Sequence, residues 1–273
     1  MSTPEQQVAR LFDELAPTYD HVGVDFFGPM ARRLVDLLAP QPGERAIDLG
    51  CGRGAVTFAL ADLVGTTGEV IAGDLSPAMV EATRADTRHL PQVRVFELNA
   101  SSPPLAPATA DIVASAAVIF FLSDPASALS RWIDLLVPGG RLGLTTFGRQ
   151  DSVWAAVDEL FVTYLPPTML DARTSGTRGP FASADGVDAL VSGAGAVAVS
   201  TLVEPIDVVF DDVDAWQRWT MSVGQRRMWS CVPDHEKPRL VADAAALLEE
   251  ARGEDGRLHL RQDVRYTTGR SPG

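Results

Sequence analysis

Val8, Leu11, Phe12 and Leu15 recur at the i, i+3, i+4, i+7 spacing of one helix face, and Pro17 stops the pattern. The spacing predicts an amphipathic helix that docks on the body by its apolar side. Met30, Leu34, Leu37 and Leu38 repeat it before Pro40, Pro42 and Gly43 break the chain, so a second helix precedes the first strand. From there short apolar runs alternate with helical stretches. Ala46 to Leu49, Val70 to Gly73 and Val93 to Leu98 read as strands, separated by helices from Gly54 to about Val64 and from Pro77 to about Arg88. This rhythm predicts βαβ units and a parallel sheet.

Ile112 to Ser115 is apolar without alternation, as expected of a central strand covered on both faces. A helix from Pro125 to Leu136 follows, then a turn at Pro138, Gly139 and Gly140 and a strand from Arg141 to Thr146. Beyond Gly148 the pattern loosens. A helix around Val153 to Leu165 leads to a loop from Thr174 to Gly179, and another helix is expected near Asp185 to Val191. Val197 to Val203 and Ile206 to Phe210 read as two extended segments, and Asp211 to Arg252 as helices interrupted at Pro233 and Pro238. Leu258, Leu260, Val264 and Tyr266 favour a final strand.

Composition narrows the function classes. Twenty-three basic against 36 acidic residues leave a formal charge of -13, and Lys or Arg runs are missing, so the footprint that attracts a phosphate backbone is absent. Nucleic acid is not the expected partner. The longest apolar run, Ile112 to Leu122, is far shorter than the roughly 20 residues that span a bilayer. The start, Met1 to Glu5, lacks a basic-then-apolar leader pattern, so a soluble, cytoplasmic protein without membrane insertion is expected. Cys51 and Cys231 are the only cysteines, which argues against a disulfide framework or a structural metal site. Association into a homo-oligomer is left open.

The chemistry concentrates in AIDLGCGRG, Ala46 to Gly54. An apolar strand carries Asp48, and Gly50, Gly52 and Gly54 then open a helix. Glycines let the backbone turn sharply and approach a ligand, and the helix N-terminus offers unpaired N–H groups. Asp74 ends the next strand, where a carboxylate can accept both hydroxyls of a ribose. The third glycine comes one residue early for a dinucleotide fingerprint. Asp48, two residues before the first glycine, would repel a pyrophosphate but attract the ammonium of an amino acid. A nicotinamide dehydrogenase is disfavoured on both counts.

With these residues go FDELAPTYD, VIAGDLSPAMVE, the strand end LNA, DIVASAAVIFFLSDP and LVPGGRL. Together they resemble the class I S-adenosylmethionine-dependent methyltransferases, and among them the ubiquinone and menaquinone biosynthesis group. The resemblance covers about Phe12 to Gly148 well and the remainder loosely. It implies a Rossmann-like α/β fold: a doubly wound, mostly parallel seven-stranded sheet with an N-terminal helical lid and a helical cap insertion. One methyltransferase domain is expected over residues 1–273, with the lid in 1–42, the cofactor core in 43–147, substrate-side insertions and late strands in 148–256, and a final strand in 257–270.

Carried over residue by residue, the resemblance implies that Gly50, Cys51 and Gly52 hold the methionine part of S-adenosylmethionine, with Asp48 towards its ammonium. Asp74 would bind the ribose, Leu75 and Met79 would pack on the adenine, and Asn99 and Ala100 would contact its edge. Ser115 would lie near the methionine backbone, and Tyr19 would close over the cofactor from the lid. The family commonly has Asp where Asn99 stands, so a weaker neutral hydrogen bond is expected there. A catalytic thiolate at Cys51 is not expected, because no base is near it in sequence.

Phe26, Phe27, Phe120, Trp216 and Trp219 are the candidates for walls of an apolar substrate pocket. His21, next to the lid motif, is the candidate general base; His89, His235 and His259 receive no role. The expected reaction is in-line transfer of the sulfonium methyl group to a small, largely apolar molecule, in specialised metabolism, leaving S-adenosylhomocysteine. The chain's main contribution would be alignment and exclusion of water. Two rivals stand beside it: a cyclisation that uses the same fold without losing the methyl group, and an inactive cofactor-binding partner subunit.

Overall fold

A computed structural model of the chain describes residues 4–19, 21–166 and 178–273. The loop expected from Thr174 to Gly179 lies largely outside them, as does Asp20. One sheet of seven strands runs in the order β3-β2-β1-β4-β5-β7-β6. β1 (Arg45–Leu49), β2 (Glu69–Asp74), β3 (Val93–Glu97), β4 (Ala110–Ala116) and β5 (Leu136–Gln150) are mutually parallel. β7 (Leu258–Arg270) enters antiparallel between β5 and β6 (Val197–Phe210). The order reverses between β1 and β4. A crevice opens at such a switch point, beyond the carboxyl ends of the strands.

Helices α2 (Phe27–Leu38), α3 (Ala55–Val64) and α4 (Pro77–Asp86) cover one face. Met30, Leu34 and Leu38 of α2 and Leu60 and Val64 of α3 are almost fully buried against Ala46, Val70 and Ile112. Val80 of α4 packs on Ala72 and Val95. α5 (Pro125–Asp134) and α7 (Ala184–Gly193) cover the other face, where Leu129, Trp132 and Val187 meet Ile47, Val113 and Leu142. Asp124 caps α5, its carboxylate accepting the Ser127 N–H at 3.0 Å, and Pro125 follows at the first turn, so both the start and direction of α5 are written locally.

Helix α1 (Pro4–Leu15) lies across the carboxyl ends of the strands. Leu15 and Ala16 are buried against Met79 at the start of α4, with Leu11 and Phe12 beside them. Asp13 fixes the register: its carboxylate accepts the Ser76 hydroxyl at 2.6 Å and the Ala78 N–H at 3.1 Å. Helices α6 (Ser152–Glu159), α8 (Val213–Ser222), α9 (Arg226–Cys231) and α10 (Lys237–Leu248) form a cap that shares the core with Val208, Phe210, Leu260 and Val264 of the antiparallel pair.

Three local expectations change. Val197 to Phe210 is one strand, with Pro205 opposite Asp263. It tolerates the proline because β6 is an edge, where a missing N–H breaks no ladder. Pro138 to Gly140 is a bulge inside β5: Ala110 pairs with Leu136 but Ile112 with Arg141, and Gly139 takes φ +77°. Pro238 stands in the first turn of α10 and starts that helix, where its missing N–H costs nothing. No described helix is long and apolar enough to cross a membrane.

Candidate active site

The crevice holds two adjoining chambers that share Tyr19, Gly50, Gly52 and Ala116 in their walls. The outer one, about 700 Å³ including its open mouth, runs from Asp74 and Leu75 past Asn99 and Ala100 to Val118 and Phe121. Helix α1 roofs it with Glu5, Val8, Ala9 and Phe12. The inner one, about 430 Å³ and likewise counted with its open side, is lined by Asp48, Cys51, Arg53, Phe27 and Met30.

The loop between them is held by the sheet. The N–H groups of Gly50 and Cys51 both donate to the Gly73 carbonyl, at 2.7 and 2.9 Å, and the Gly52 N–H donates to Asp74 at 2.9 Å. The glycines differ in their reasons. A Cβ at Gly50 would meet Val118 at 2.3 Å, so that position is closed by packing. A Cβ at Gly52, where φ is +51°, would meet only the Tyr19 ring, at 3.8 Å. Gly52 therefore leaves open the space between loop and lid.

Asp48 is fully buried at the end of β1. Its Oδ2 accepts the Thr57 hydroxyl at 2.6 Å, while Oδ1 has no partner. Burial, with a further push from the Asp74 charge, raises its pKa to about 7. Asp74 is also raised by burial, against the pull of N–H groups from Ser76 and Gly52. Burial and then the charges of Asp74 and Asp48 push the Cys51 thiol well above its ordinary value, which removes it as a nucleophile. Arg53 donates to the Ala16 carbonyl at 2.8 Å and to Asp86 at 2.6 Å, yet its Nε is buried without a partner. Asp48 and Arg53, each with one buried polar atom that lacks a partner, thus stand in the same wall set of the inner chamber. An α-amino acid, with its ammonium and its carboxylate, complements that pair.

Tyr19 stacks on Phe27 at 5.0 Å between ring centres and meets Phe12 edge-on at 5.8 Å. Beyond Phe27 the rings continue to Phe26 at 4.9 Å and from there to Trp219 at 5.4 Å and Phe147 at 6.0 Å.

The glycine loop, the strand-end acid Asp74 and the opposite charges of Asp48 and Arg53 mark out the cleft. Residues 47–144 match the family model described as a methyltransferase domain. The nocamycin O-methyltransferase of Saccharothrix syringae is 34% identical over 276 residues, covering 95% of this chain and 97% of that one. The chain belongs to the S-adenosylmethionine-dependent methyltransferases. The aklanonic acid methyltransferase of Streptomyces sp. strain C5 is 37% identical over 172 residues, covering 62% of this chain and 78% of that one. Among solved structures, the phosphoethanolamine N-methyltransferase 2 of Haemonchus contortus, in complex with S-adenosyl-L-methionine, shares the fold. Its TM-score is 0.63 at 14% identity, covering 100% of this chain and 61% of that one. Similarity to the nocamycin enzyme continues past Gly148, where the likeness to the quinone group is loose.

Of the site residues expected for this methyltransferase, Tyr19, Asp48, Gly50, Cys51, Gly52, Asp74, Leu75, Asn99 and Ala100 line the two chambers. Met79 and Ser115 do not. Met79 is buried under Leu15, and the Ser115 hydroxyl donates to the Leu49 carbonyl at 2.7 Å, leaving Ala116 to face the cleft. Phe27 lines the inner chamber and Phe26 packs against it, while Phe120 is outside both linings, against Phe121 and Phe147 at 4.7 and 5.6 Å. Trp216 and Trp219 are 1% and 3% exposed and pack within the cap core, so neither roofs these chambers. Their amphipathic spacing serves the core first. His21 is exposed and outside both linings, with Nδ1 against the Tyr19 carbonyl at 2.9 Å and Nε2 near Arg53 at 3.3 Å.

Sequence reasoning missed Glu5, Arg53 and Phe12. Arg53 lies inside the glycine motif itself, and its charge opposite Asp48 was the available signal. Among the described residues no group of three or more His, Cys, Asp or Glu is placed to hold a metal ion.

Proposed function

We propose that this methyltransferase acts on an oxygen of a small, largely apolar molecule, an oxygen already acidic enough to be ionised near neutral pH: a carboxylate or an acidic phenol or enol. The observation that carries this reading is the set of ionisable groups that the described residues place in the cleft walls: Glu5, Tyr19, Asp48, Cys51, Arg53 and Asp74, with no histidine or lysine among them. Burial lifts the Asp48 pKa to about 7, and a cation beside it would hold it ionised. Among the described residues no group in these walls is then poised to pull a proton from a weakly acidic hydroxyl or a carbon acid. An oxygen that arrives ionised needs none.

Bound S-adenosylmethionine supplies an electrophilic methyl group. The chain's part is alignment. Asp48 would take the ammonium and Arg53 the carboxylate of the methionine end, at the neck formed by Gly50 and Gly52. Asp74 would face the ribose, with Leu75 and Ala100 flanking the base. Tyr19 and Phe27, stacked over the neck, would exclude water from the transfer and leave an apolar wall for the acceptor. The names of two relatives support the reading, one an O-methyltransferase and the other acting on an acid.

The test is incubation with a labelled methyl donor and matched acceptors: polycyclic aromatic carboxylic acids, acidic phenols, simple phenols, indoles and amines. Methyl esters or ethers of the acidic compounds are expected. Label on carbon or nitrogen overturns the reading, and turnover with the donor's methyl group retained would favour the cyclisation rival.

A further inference from the structure

The outer chamber must recognise the edge of an adenine, whose exocyclic amine is a donor and needs an acceptor. Asn99 stands at the right end of the chamber, but its amide is already oriented by two opposite demands. Oδ1 accepts the Ser101 N–H at 2.8 Å, and Nδ2 donates to Glu5 Oε2 at 3.0 Å. Flipping the amide would set two acceptors against each other at Glu5 and two donors at Ser101. Asn99 Oδ1 keeps one lone pair beside the Ser101 N–H and is a neutral acceptor; the charged acceptor at that end is the Glu5 carboxylate. It lines the chamber together with Asn99 and Ala100, and its Oε1 takes the hydroxyls of Ser101 at 2.6 Å and Ser123 at 3.1 Å. Oε2 takes only the Asn99 amide among these contacts, and a carboxylate oxygen accepts two bonds. Hydrogen bonds from the Ser101 hydroxyl foremost, then from the Asn99 amide and from the Ser123 hydroxyl and backbone N–H, hold the Glu5 carboxyl below its ordinary range against the push of burial, so it is ionised at neutral pH.

We infer that Glu5, carried in on the lid helix α1, is the acceptor for the exocyclic amine of the cofactor's adenine, and that Asn99 is the bracket that orients it. The carboxylate comes from 94 residues earlier in the chain than the strand end on which it sits. Docking of the lid and recognition of the base are then one event, because α1 must lie against Ser76, Asn99 and Ser123 for Glu5 to be in place. Asp13 docks the same helix through Ser76 and Ala78 but does not line the chamber, which separates docking from recognition.

The experiment is calorimetric binding of S-adenosylhomocysteine and of S-inosylhomocysteine, in which a carbonyl replaces the amine, to the full chain and to Glu5→Ala and Asp13→Ala. The parent protein is expected to prefer the adenosine compound by roughly tenfold or more, as befits a hydrogen bond to a charged acceptor. Glu5→Ala should reduce that preference to about threefold or less, whereas Asp13→Ala should weaken both ligands together and keep the ratio. Glu5→Gln, judged by the same ratio, replaces Glu5→Ala if the latter does not give the parent's circular dichroism spectrum. A Glu5 variant that keeps the parent's ratio overturns the assignment, as does an Asp13→Ala protein that loses the ratio equally, since recognition would then reside in lid packing.

Discussion

Asp48→Asn separates what the buried acid costs the empty protein from what it gives the loaded one. The carboxyl is fully buried, its Oδ2 is held by Thr57 at 2.6 Å and its Oδ1 has no partner. Its pKa stands at about 7 against an ordinary value of 3.8, and that gap corresponds to ~4 kcal/mol of folding free energy. The folded state holds the proton more tightly than the unfolded state, so stability is greatest below the ordinary value and falls as pH rises through the window from about 4 to about 7. At pH 8 the ligand-free protein carries the whole penalty. Asparagine removes the charge but still buries an unsatisfied amide donor, a residual cost of about 1–3 kcal/mol. A net gain of about 1–3 kcal/mol is therefore expected, or a melting temperature a few degrees higher at pH 8, shrinking towards nothing or a loss near pH 4. Binding should move the other way. Below about 7 the site must release a proton before an ammonium settles against it, so the parent's affinity for S-adenosylhomocysteine should fall by up to about tenfold per pH unit as pH is lowered. The variant should bind far more weakly and without that slope. Thermal melts across pH, with calorimetry in buffers of different ionisation enthalpy to count protons released, measure both arms. A variant that melts with the parent at pH 8 and binds with the parent's affinity and pH slope would refute the buried, unpaired carboxylate as the origin of either effect.

Three other outcomes follow from the geometry. Gly52→Val strains a left-handed position by about 1–2 kcal/mol and projects into the space under Tyr19, so the protein should remain folded while calorimetry finds no S-adenosylhomocysteine binding; normal binding would remove Gly52 from the cradle. Asn99→Asp sets a second carboxylate 3.0 Å from Glu5 Oε2 in place of the amide donor, and should lower affinity for S-adenosylhomocysteine roughly tenfold, with Glu5→Gln in the same chain restoring most of it. His21→Ala should leave the rate of methyl transfer within about twofold, because the ring lies outside both chambers; a loss of about 100-fold or more would reinstate it as a general base.

The sequence by itself determined what depends on neighbours in the chain. Helix faces at Val8 to Leu15 and Met30 to Leu38, the apolar strand before Asp48, the glycines that follow it and Asp74 closing β2 are all set within a few residues. Local rules of periodicity, capping and backbone freedom were enough to find them. The turn between β1 and α3 was legible in the same way, since a glycine run between a strand and a helix dictates its own geometry. The tertiary structure decided everything that depends on which distant surfaces meet. Whether Ser115 or Ala116 faces the cleft turned on the side on which the β4 pleat leaves each residue, and a strand's two faces cannot be told apart when both are buried. Trp216 and Trp219 could have roofed a pocket or filled a core, and only the packing of the cap on the antiparallel pair chose the core. Glu5 meets Asn99 across 94 residues of sequence, and a lone glutamate in the first turn of an amphipathic helix carries no sign of where that helix will dock. The docking follows from Leu15 and Phe12 burying themselves beside Met79, a hydrophobic contact without direction in the sequence, and that contact carries the carboxylate to the rim of the site.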